Sequence, residues 1–153
     1  MNTTQERTVW NRFQLWATPI LILSFFFLVC IGYKPAPFQS RLSASIDRGK
    51  VVYATRCLSC HQIDGGGVQN MNPPLIKTKW VLGDKSQLIQ IVLKGLNSGV
   101  VIDDIEYHNV MASHKDLTDQ QIADVLTYIR NSFGNKARAV TEAEVKAERS
   151  KLK

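Results

Sequence analysis

The chain has 153 residues, three cysteines and a formal net charge of +6, and this length allows one domain with appendages. Residues 45–135 carry nine basic and nine acidic side chains, so the basic excess lies toward the two ends of the chain. No basic stripe alternates with aromatic residues, which disfavours nucleic-acid binding. Two cysteines share one short motif and Cys30 stands apart, so no disulfide framework is indicated.

The N-terminal segment predicts a membrane anchor. Residues 1–14 begin with a polar stretch and are expected to form a short cytoplasmic stub. Residues 15–33 run for nineteen positions without a charged side chain, close to the ~20 residues that a helix needs to span a bilayer. Trp16 and Tyr33 lie at its two ends, where amphipathic rings favour the interface. A buried core helix is the alternative, but a helix that is apolar on all sides suits a small domain poorly.

The anchor is expected to remain attached to the chain. A removed signal sequence is the alternative, and it would end in small residues at a cleavage site. Residues 34–38 read K-P-A-P-F and fit that pattern poorly. A lipid anchor on Cys30 is disfavoured because bulky Val29 precedes the cysteine. Residues 34–44 include two prolines and predict a linker.

The first helix of the soluble part is predicted over Ser45–Leu58, with Ser45 as its N-cap. Gly49, Val52 and Tyr53 fall on one face of this helix. A glycine inside a helix costs about 1 kcal/mol relative to alanine. We therefore expect a crossing helix to approach the backbone closely at Gly49.

Cys57, Cys60 and His61 form the motif C-x-x-C-H, the attachment signal for c-type haem. Residues three apart share one face of a helical turn, so both thiols can form thioethers to one porphyrin while His61 serves as an axial iron ligand. A redox dithiol is an alternative, but it usually follows a buried strand rather than a helix. Zinc is another, but the six-residue spacing of His108 and His114 does not suit a finger.

The region after the motif is expected to wrap around the porphyrin. Glycines 65–67 permit a tight turn against a planar ligand. An iron-bound histidine needs its second ring nitrogen hydrogen-bonded, commonly to a backbone carbonyl. The carbonyl of Pro73 is the candidate partner for His61.

A second helix is predicted over Lys85–Leu96, with an apolar stripe that forms core and cofactor wall. Residues 100–111 are expected to form a loop or a short irregular strand. This stretch contains an acidic cluster, which we expect to form a docking rim that affects association rate more than affinity. The cluster consists of Asp103, Asp104 and Glu106.

Met111 is the predicted sixth iron ligand. A thioether is a soft donor, and methionine opposite histidine raises the reduction potential of haem. Met111 precedes a strongly indicated helix, so its loop is anchored at both ends. Met71 is an alternative ligand, and His108 or His114 would give bis-histidine ligation instead.

The two C-terminal helices begin with capping boxes. Thr118 and Gln121 open a helix whose apolar residues recur at helical spacing as far as Phe133. Its Tyr128 is expected to face Tyr53 of the first helix. Residues 136–153 form a basic tail that starts loosely, and Thr141 caps a short helix expected to be solvated.

With C-x-x-C-H, the run Asn72-Pro73-Pro74-Leu75, a distal methionine and Leu117-Thr118-Asp119 in hand, residues 45–135 resemble class I (monohaem) cytochrome c. The resemblance implies a small all-α bundle with crossed terminal helices around one covalent haem c. It also implies that four residues surround the haem: Pro73, Leu75, Trp80 and Tyr107. The indole of Trp80 is expected to lie near a haem propionate. Ala112 follows Met111, whereas the family often has proline there.

The resemblance implies a one-electron carrier rather than an enzyme, because both axial positions are filled by the protein. The alternative is a haem-based sensor or enzyme whose sixth ligand can be displaced. Expected partners are redox donor and acceptor proteins, a larger respiratory or dehydrogenase complex, and the membrane through the N-terminal helix. Cytochrome c maturation implies the bacterial inner membrane, with the haem domain on the periplasmic side.

Overall fold

The computed structural model describes residues 38–97 and 99–152, which belong to one compact unit. The expected cytoplasmic stub, residues 1–14, and the expected anchor, residues 15–33, lie outside the described residues. Within the described part of the chain, no helix is long and apolar enough to cross a membrane.

The described chain is helical, as expected, with one short antiparallel hairpin that the all-α expectation did not include. In chain order the elements are α1 (Phe38–Arg56), α2 (Leu58–His61), α3 (Lys79–Leu82), α4 (Lys85–Lys94), β1 (Val100–Ile102), β2 (Ile105–Tyr107), α5 (Asp119–Asn131) and α6 (Glu142–Ser150). The hairpin pairs Val100 with Tyr107. Asp103 and Asp104 make its turn at φ 51° and 63°, a left-handed region that aspartate tolerates better than most residues.

The crossing of α1 and α5 confirms the close approach expected at Gly49. A Cβ at this position would lie 2.6 Å from the carbonyl carbon of Asp124 and 2.7 Å from Cβ of Tyr128. The ring centroids of Tyr53 and Tyr128 are 5.3 Å apart, so the expected aromatic contact is also present. This crossing packs α1, which leads directly into the motif, against the core helix α5.

Helix α1 begins at Phe38 rather than at the predicted Ser45, so residues 38–44 are helical and not a linker. No proline or glycine occurs in residues 38–44, so nothing in this stretch interrupts a helix. Ser45 is therefore not an N-cap. Its Oγ donates to Oδ1 of buried Asp124 at 2.6 Å, and Arg48 Nε pairs with the other carboxylate oxygen at 2.7 Å.

Two predicted helix ends shift by a few residues for local reasons. The predicted end of the first helix at Leu58 is replaced by a break at Cys57, after which α2 begins. Helix α4 stops at Lys94 instead of Leu96, because Gly95 adopts φ +75°. The capping box of Thr118 and Gln121 is present at the start of α5 as expected.

The C-terminal tail packs on the domain, so the expectation of a solvated helix is wrong. Helix α6 begins with the expected capping box of Thr141 and Glu144. Val145 of α6 is completely buried, and Val140 before it is 4% exposed. Buried Thr127 of α5 exchanges hydrogen bonds with the backbone of Val140 at 3.0 and 3.1 Å. The tail is thus part of the hydrophobic core.

Candidate cofactor site

One apolar cavity of about 260 Å³ gathers the predicted cofactor residues. Cys57 lines it from the break between α1 and α2, Cys60 and His61 line it from α2, and Met111 lines it from the segment after the hairpin. Apolar side chains of α4, α5 and the hairpin supply much of the remaining wall. An apolar lining excludes water and lowers the local dielectric around whatever group occupies the cavity.

The imidazole of His61 is oriented by a backbone carbonyl. Its Nδ1 lies 3.0 Å from the carbonyl oxygen of Pro73, and because a carbonyl only accepts, Nδ1 carries the proton. Nε2 of the neutral ring is then free to bind a metal. Burial lowers the pKa of His61 and favours that neutral form, against a smaller raising effect of the Pro73 hydrogen bond.

A glycine turn brings Pro73 back to His61. Gly67 has φ +66°, and a Cβ there would lie 2.7 Å from the Pro73 oxygen. The amide of Gly67 donates to the carbonyl of His61 at 3.1 Å. The turn therefore requires glycine both for its backbone angle and for the close approach of the proline carbonyl.

The two motif cysteines differ in environment. Cys60 is exposed, whereas Cys57 is largely buried, and burial raises the pKa of the Cys57 thiol to about 11. A reactive dithiol needs a lowered thiol pKa, so the protonated Cys57 thiol does not favour the redox-dithiol alternative. Among the described residues, no group of three or more His, Cys, Asp or Glu side chains is arranged to hold a metal ion.

Of the candidate sixth ligands, Met111 and His114 line the cavity. Met71 is 49% exposed. The imidazole of His108 is exposed, and its Nδ1 lies 3.8 Å from Oε1 of Glu106. In the described part of the chain neither Met71 nor His108 belongs to the cavity wall.

Pro73, Leu75 and Trp80 also line the cavity. Tyr107 does not line it. This tyrosine is buried one strand away, paired with Val100, whose side chain lines the cavity.

Sequence reasoning missed Asn135, which ties the loop of the cavity to α5. Its side-chain nitrogen donates to the carbonyls of Leu75 at 2.9 Å and Ile129 at 2.8 Å. Its Oδ1 accepts from the amide of Lys77 at 2.8 Å. Arg130 was also missed as a loop support, and its guanidinium donates to the carbonyl of Val81. Neither residue belongs to a periodic pattern that would have indicated these contacts.

The donors present fit a covalently attached haem. Two thiols three residues apart, an imidazole with a free Nε2 and one thioether meet a cavity with apolar walls. Each thiol can add its S–H across a vinyl double bond, so attachment requires no oxidant. These are the donor types that hold c-type haem.

Comparison with known proteins agrees with this chemistry. A sequence model of the family described as Cytochrome c matches residues 46–133, more than half of the chain. The chain is 31% identical to cytochrome c-552 of Thermus thermophilus over 126 residues, covering 68% of this chain and 95% of that protein.

Larger redox proteins are also similar to this chain over part of their length. It is 38% identical over 102 residues to the cytochrome c subunit of a quinone alcohol dehydrogenase of Komagataeibacter europaeus, covering 63% of this chain and 21% of that subunit. It is 33% identical over 96 residues to the FixP subunit of a cbb3-type cytochrome c oxidase of Azorhizobium caulinodans, covering 61% of this chain and 31% of that subunit.

Proposed function

The chain belongs to the cytochrome c family, and on that premise we propose that it is a one-electron carrier built around a single covalent haem c. The observation that carries the proposal is the convergence of Cys57, Cys60, His61 and Met111 on one apolar cavity. The contact between His61 and Pro73 supports it, because this contact leaves Nε2 available to iron.

When bound, haem would supply a centre that takes up and releases one electron between its ferric and ferrous states. The residues of the chain would hold and tune that group. Cys57 and Cys60 would attach it covalently, His61 would ligate it from the motif, and Met111 would ligate it from the segment after the hairpin. The apolar wall excludes water, which favours the less charged ferrous form, and methionine ligation acts in the same direction.

An electron carrier is favoured over a sensor or enzyme with a displaceable ligand. Met111 exchanges two backbone hydrogen bonds with Leu96, at 2.9 and 3.0 Å. A ligand whose backbone is held on both sides does not leave readily. If His61 and Met111 both held the iron, the protein would leave no coordination position for a substrate or a gas.

We place the protein at the bacterial inner membrane, with the haem domain on the periplasmic side. The uncharged segment of residues 15–33 supports an anchor. The similar subunits of dehydrogenases and of an oxidase support a role within, or next to, a larger redox complex that joins a membrane or periplasmic donor to a terminal acceptor. Membrane fractionation of the full chain tests this location, and release into the soluble periplasmic fraction would contradict an uncleaved anchor.

Covalent haem is tested by expressing the chain with haem-maturation machinery and measuring intact mass. We expect the mass of one haem to be added to the wild type and to the Cys30→Ser control, because Cys30 lies outside the motif. The double variant Cys57→Ser, Cys60→Ser should carry none. A colourless wild type, or one without the added mass, would overturn the proposal.

A further inference from the structure

Residues 111–114, called the ligand segment here, are held to the end of α4 by hydrogen bonds. The first fastening is the pair of backbone hydrogen bonds between Met111 and Leu96, Leu96 N to Met111 O at 2.9 Å and Met111 N to Leu96 O at 3.0 Å. Leu96 lies two residues past the end of α4 at Lys94. The ligand segment therefore pairs with the chain just as that chain leaves the helix.

The second fastening uses carbonyls that every helix leaves unpaired. The last four carbonyls of an α-helix have no partner within the helix. Ser113 Oγ donates to one of them, Leu93 O, at 2.6 Å. The amide of His114 donates to another, Val92 O, at 2.9 Å. The ligand segment thus caps the C-terminus of α4, and the capping bonds hold the residues directly after Met111.

Gly95 makes this approach possible. It has φ +75°, and a Cβ there would lie 2.9 Å from the carbonyl carbon of Ala112 and 2.9 Å from the amide nitrogen of Ser113. A side chain at this position would therefore push the ligand segment away from the end of α4. Glycine is required at position 95 for two reasons, its positive φ angle and the close approach of the ligand segment.

We propose that Ser113 and Gly95 are positioning residues for the iron ligand Met111. Ala112 leaves the backbone after Met111 free to rotate, whereas a proline there would fix it. The capping bonds between the ligand segment and α4 supply the missing constraint and keep the thioether in the cavity. This inference rests on the proposed function, because it takes Met111 as the ligand.

Displacement of Met111 by added imidazole tests the proposal. An external ligand binds ferric haem only after the ligand segment opens, so its apparent affinity reports how strongly the segment is held. Ser113→Ala removes the bond donated to Leu93 O and a longer one, 3.3 Å, accepted from the Lys115 amide. Loss of the first, worth about 0.5–1.5 kcal/mol, predicts that imidazole binds this variant about 2- to 12-fold more tightly than the wild type. Ser113→Thr keeps a hydroxyl and should restore the wild-type affinity. Gly95→Ala should tighten imidazole binding at least as much.

Thr127→Val is the matched control, because the Thr127 hydroxyl, like that of Ser113, donates to a backbone carbonyl and accepts from a backbone amide. Both groups belong to Val140, in another part of the domain. It should lower the denaturation midpoint and leave imidazole affinity unchanged. Each variant is also measured in combination with His114→Ala, so that the His114 side chain cannot take the iron position meant for the added imidazole.

The outcomes separate this inference from the proposed function. If the wild type binds haem but lacks the charge-transfer absorption of a thioether on ferric iron, Met111 is not the ligand and the proposed ligation fails. If the wild type shows that absorption and Ser113→Ala binds imidazole no more tightly, the positioning role is overturned. Equal tightening in Thr127→Val would also overturn it, since general destabilisation would then account for the effect.

Discussion

Single residues around the cavity make the contacts that the proposed haem would need. His61 presents Nδ1 to the Pro73 carbonyl, 3.0 Å away, which leaves Nε2 free to bind a metal. The sequence indicated this pair from the motif and from the free carbonyl of a proline. The choice between Met111 and His114 is different, because both residues line the cavity.

Substitution of each candidate ligand separates them. We expect Met111→Leu to lose the thioether charge-transfer absorption of the ferric protein and to have a lower reduction potential, since methionine ligation raises that potential. His114→Ala should retain both properties of the wild type. Absorption spectra and potentiometric titration of the two variants measure this. A His114→Ala protein that loses its low-spin spectrum, beside an unchanged Met111→Leu, would indicate bis-histidine ligation.

Pairs of elements meet at a few close contacts that tolerate little change. The α1–α5 crossing depends on Gly49, and the docking of α6 depends on Val145 and on the polar contacts of Glu148. The sequence indicated the α1–α5 crossing, because a glycine within an otherwise apolar helix face leaves room for a second backbone to approach. The sequence did not indicate the docking of α6, because the charged residues of the tail suggest a solvated helix.

At the α1–α5 crossing, Gly49→Ala should destabilise the domain. The added Cβ would lie 2.6 Å from the Asp124 carbonyl carbon, so the helices must separate, and overpacking of this kind costs about 1–3 kcal/mol. Gly66→Ala is the control, since its Cβ would meet only the side chain of Asp64, at 3.1 Å. Chemical denaturation of both variants gives the two unfolding free energies. Equal stabilities would contradict the role of the crossing.

At the docking of α6, stability should depend on pH through Glu148. Hydrogen bonds from Lys151 and Gln90 lower the pKa of this carboxyl from 4.5 to about 2. A lowered folded-state pKa contributes stability that is complete above the unfolded pKa and is lost as the pH falls through the folded one. The stability difference between the wild type and Glu148→Gln should therefore shrink between about pH 5 and pH 2.

Denaturation curves across that pH range provide the measurement for Glu148. Glu142→Gln serves as the control, because Glu142 is exposed in the first turn of the same helix. Its stability should stay parallel to that of the wild type as the pH falls. A constant difference between Glu148→Gln and the wild type would show that the buried carboxylate does not contribute through its charge.

On the scale of the whole molecule, the acidic turn of the hairpin lies in the segment that leads to the ligand. Asp103 and Asp104 are exposed at the turn, and Glu106 is exposed on the outer face of β2. Val100 and Ile102 of the same hairpin line the cavity. The hairpin thus carries three exposed carboxylates on an element that also lines the cavity.

Neutralising this charge should slow electron transfer from a cationic reductant such as hexaammineruthenium(II) to the ferric protein. The triple variant Asp103→Asn, Asp104→Asn, Glu106→Gln keeps side chains that tolerate the turn. We expect a roughly 2- to 10-fold lower rate at low salt that converges with the wild-type rate at high salt, because screening removes steering. Asp47→Asn with Glu142→Gln is the charge control and should have a smaller effect. An unchanged rate in the triple variant would contradict a docking role for these three carboxylates.

The sequence by itself determined the attachment motif, the haem chemistry that it implies and the capped starts of α5 and α6. These features depend on residues within about four positions of one another, which a pattern can display. The membrane anchor stays a prediction from composition, outside the described residues.

Only the tertiary structure decided where α1 begins, that α6 belongs to the core and which side chains support the cavity. These outcomes depend on partners far apart in the chain, such as Ser45 with Asp124 at a separation of 79 residues and Ser113 with Leu93 at 20. A hydrogen bond across such a distance leaves no periodic trace in the sequence. It exists only because packing brings the two segments together.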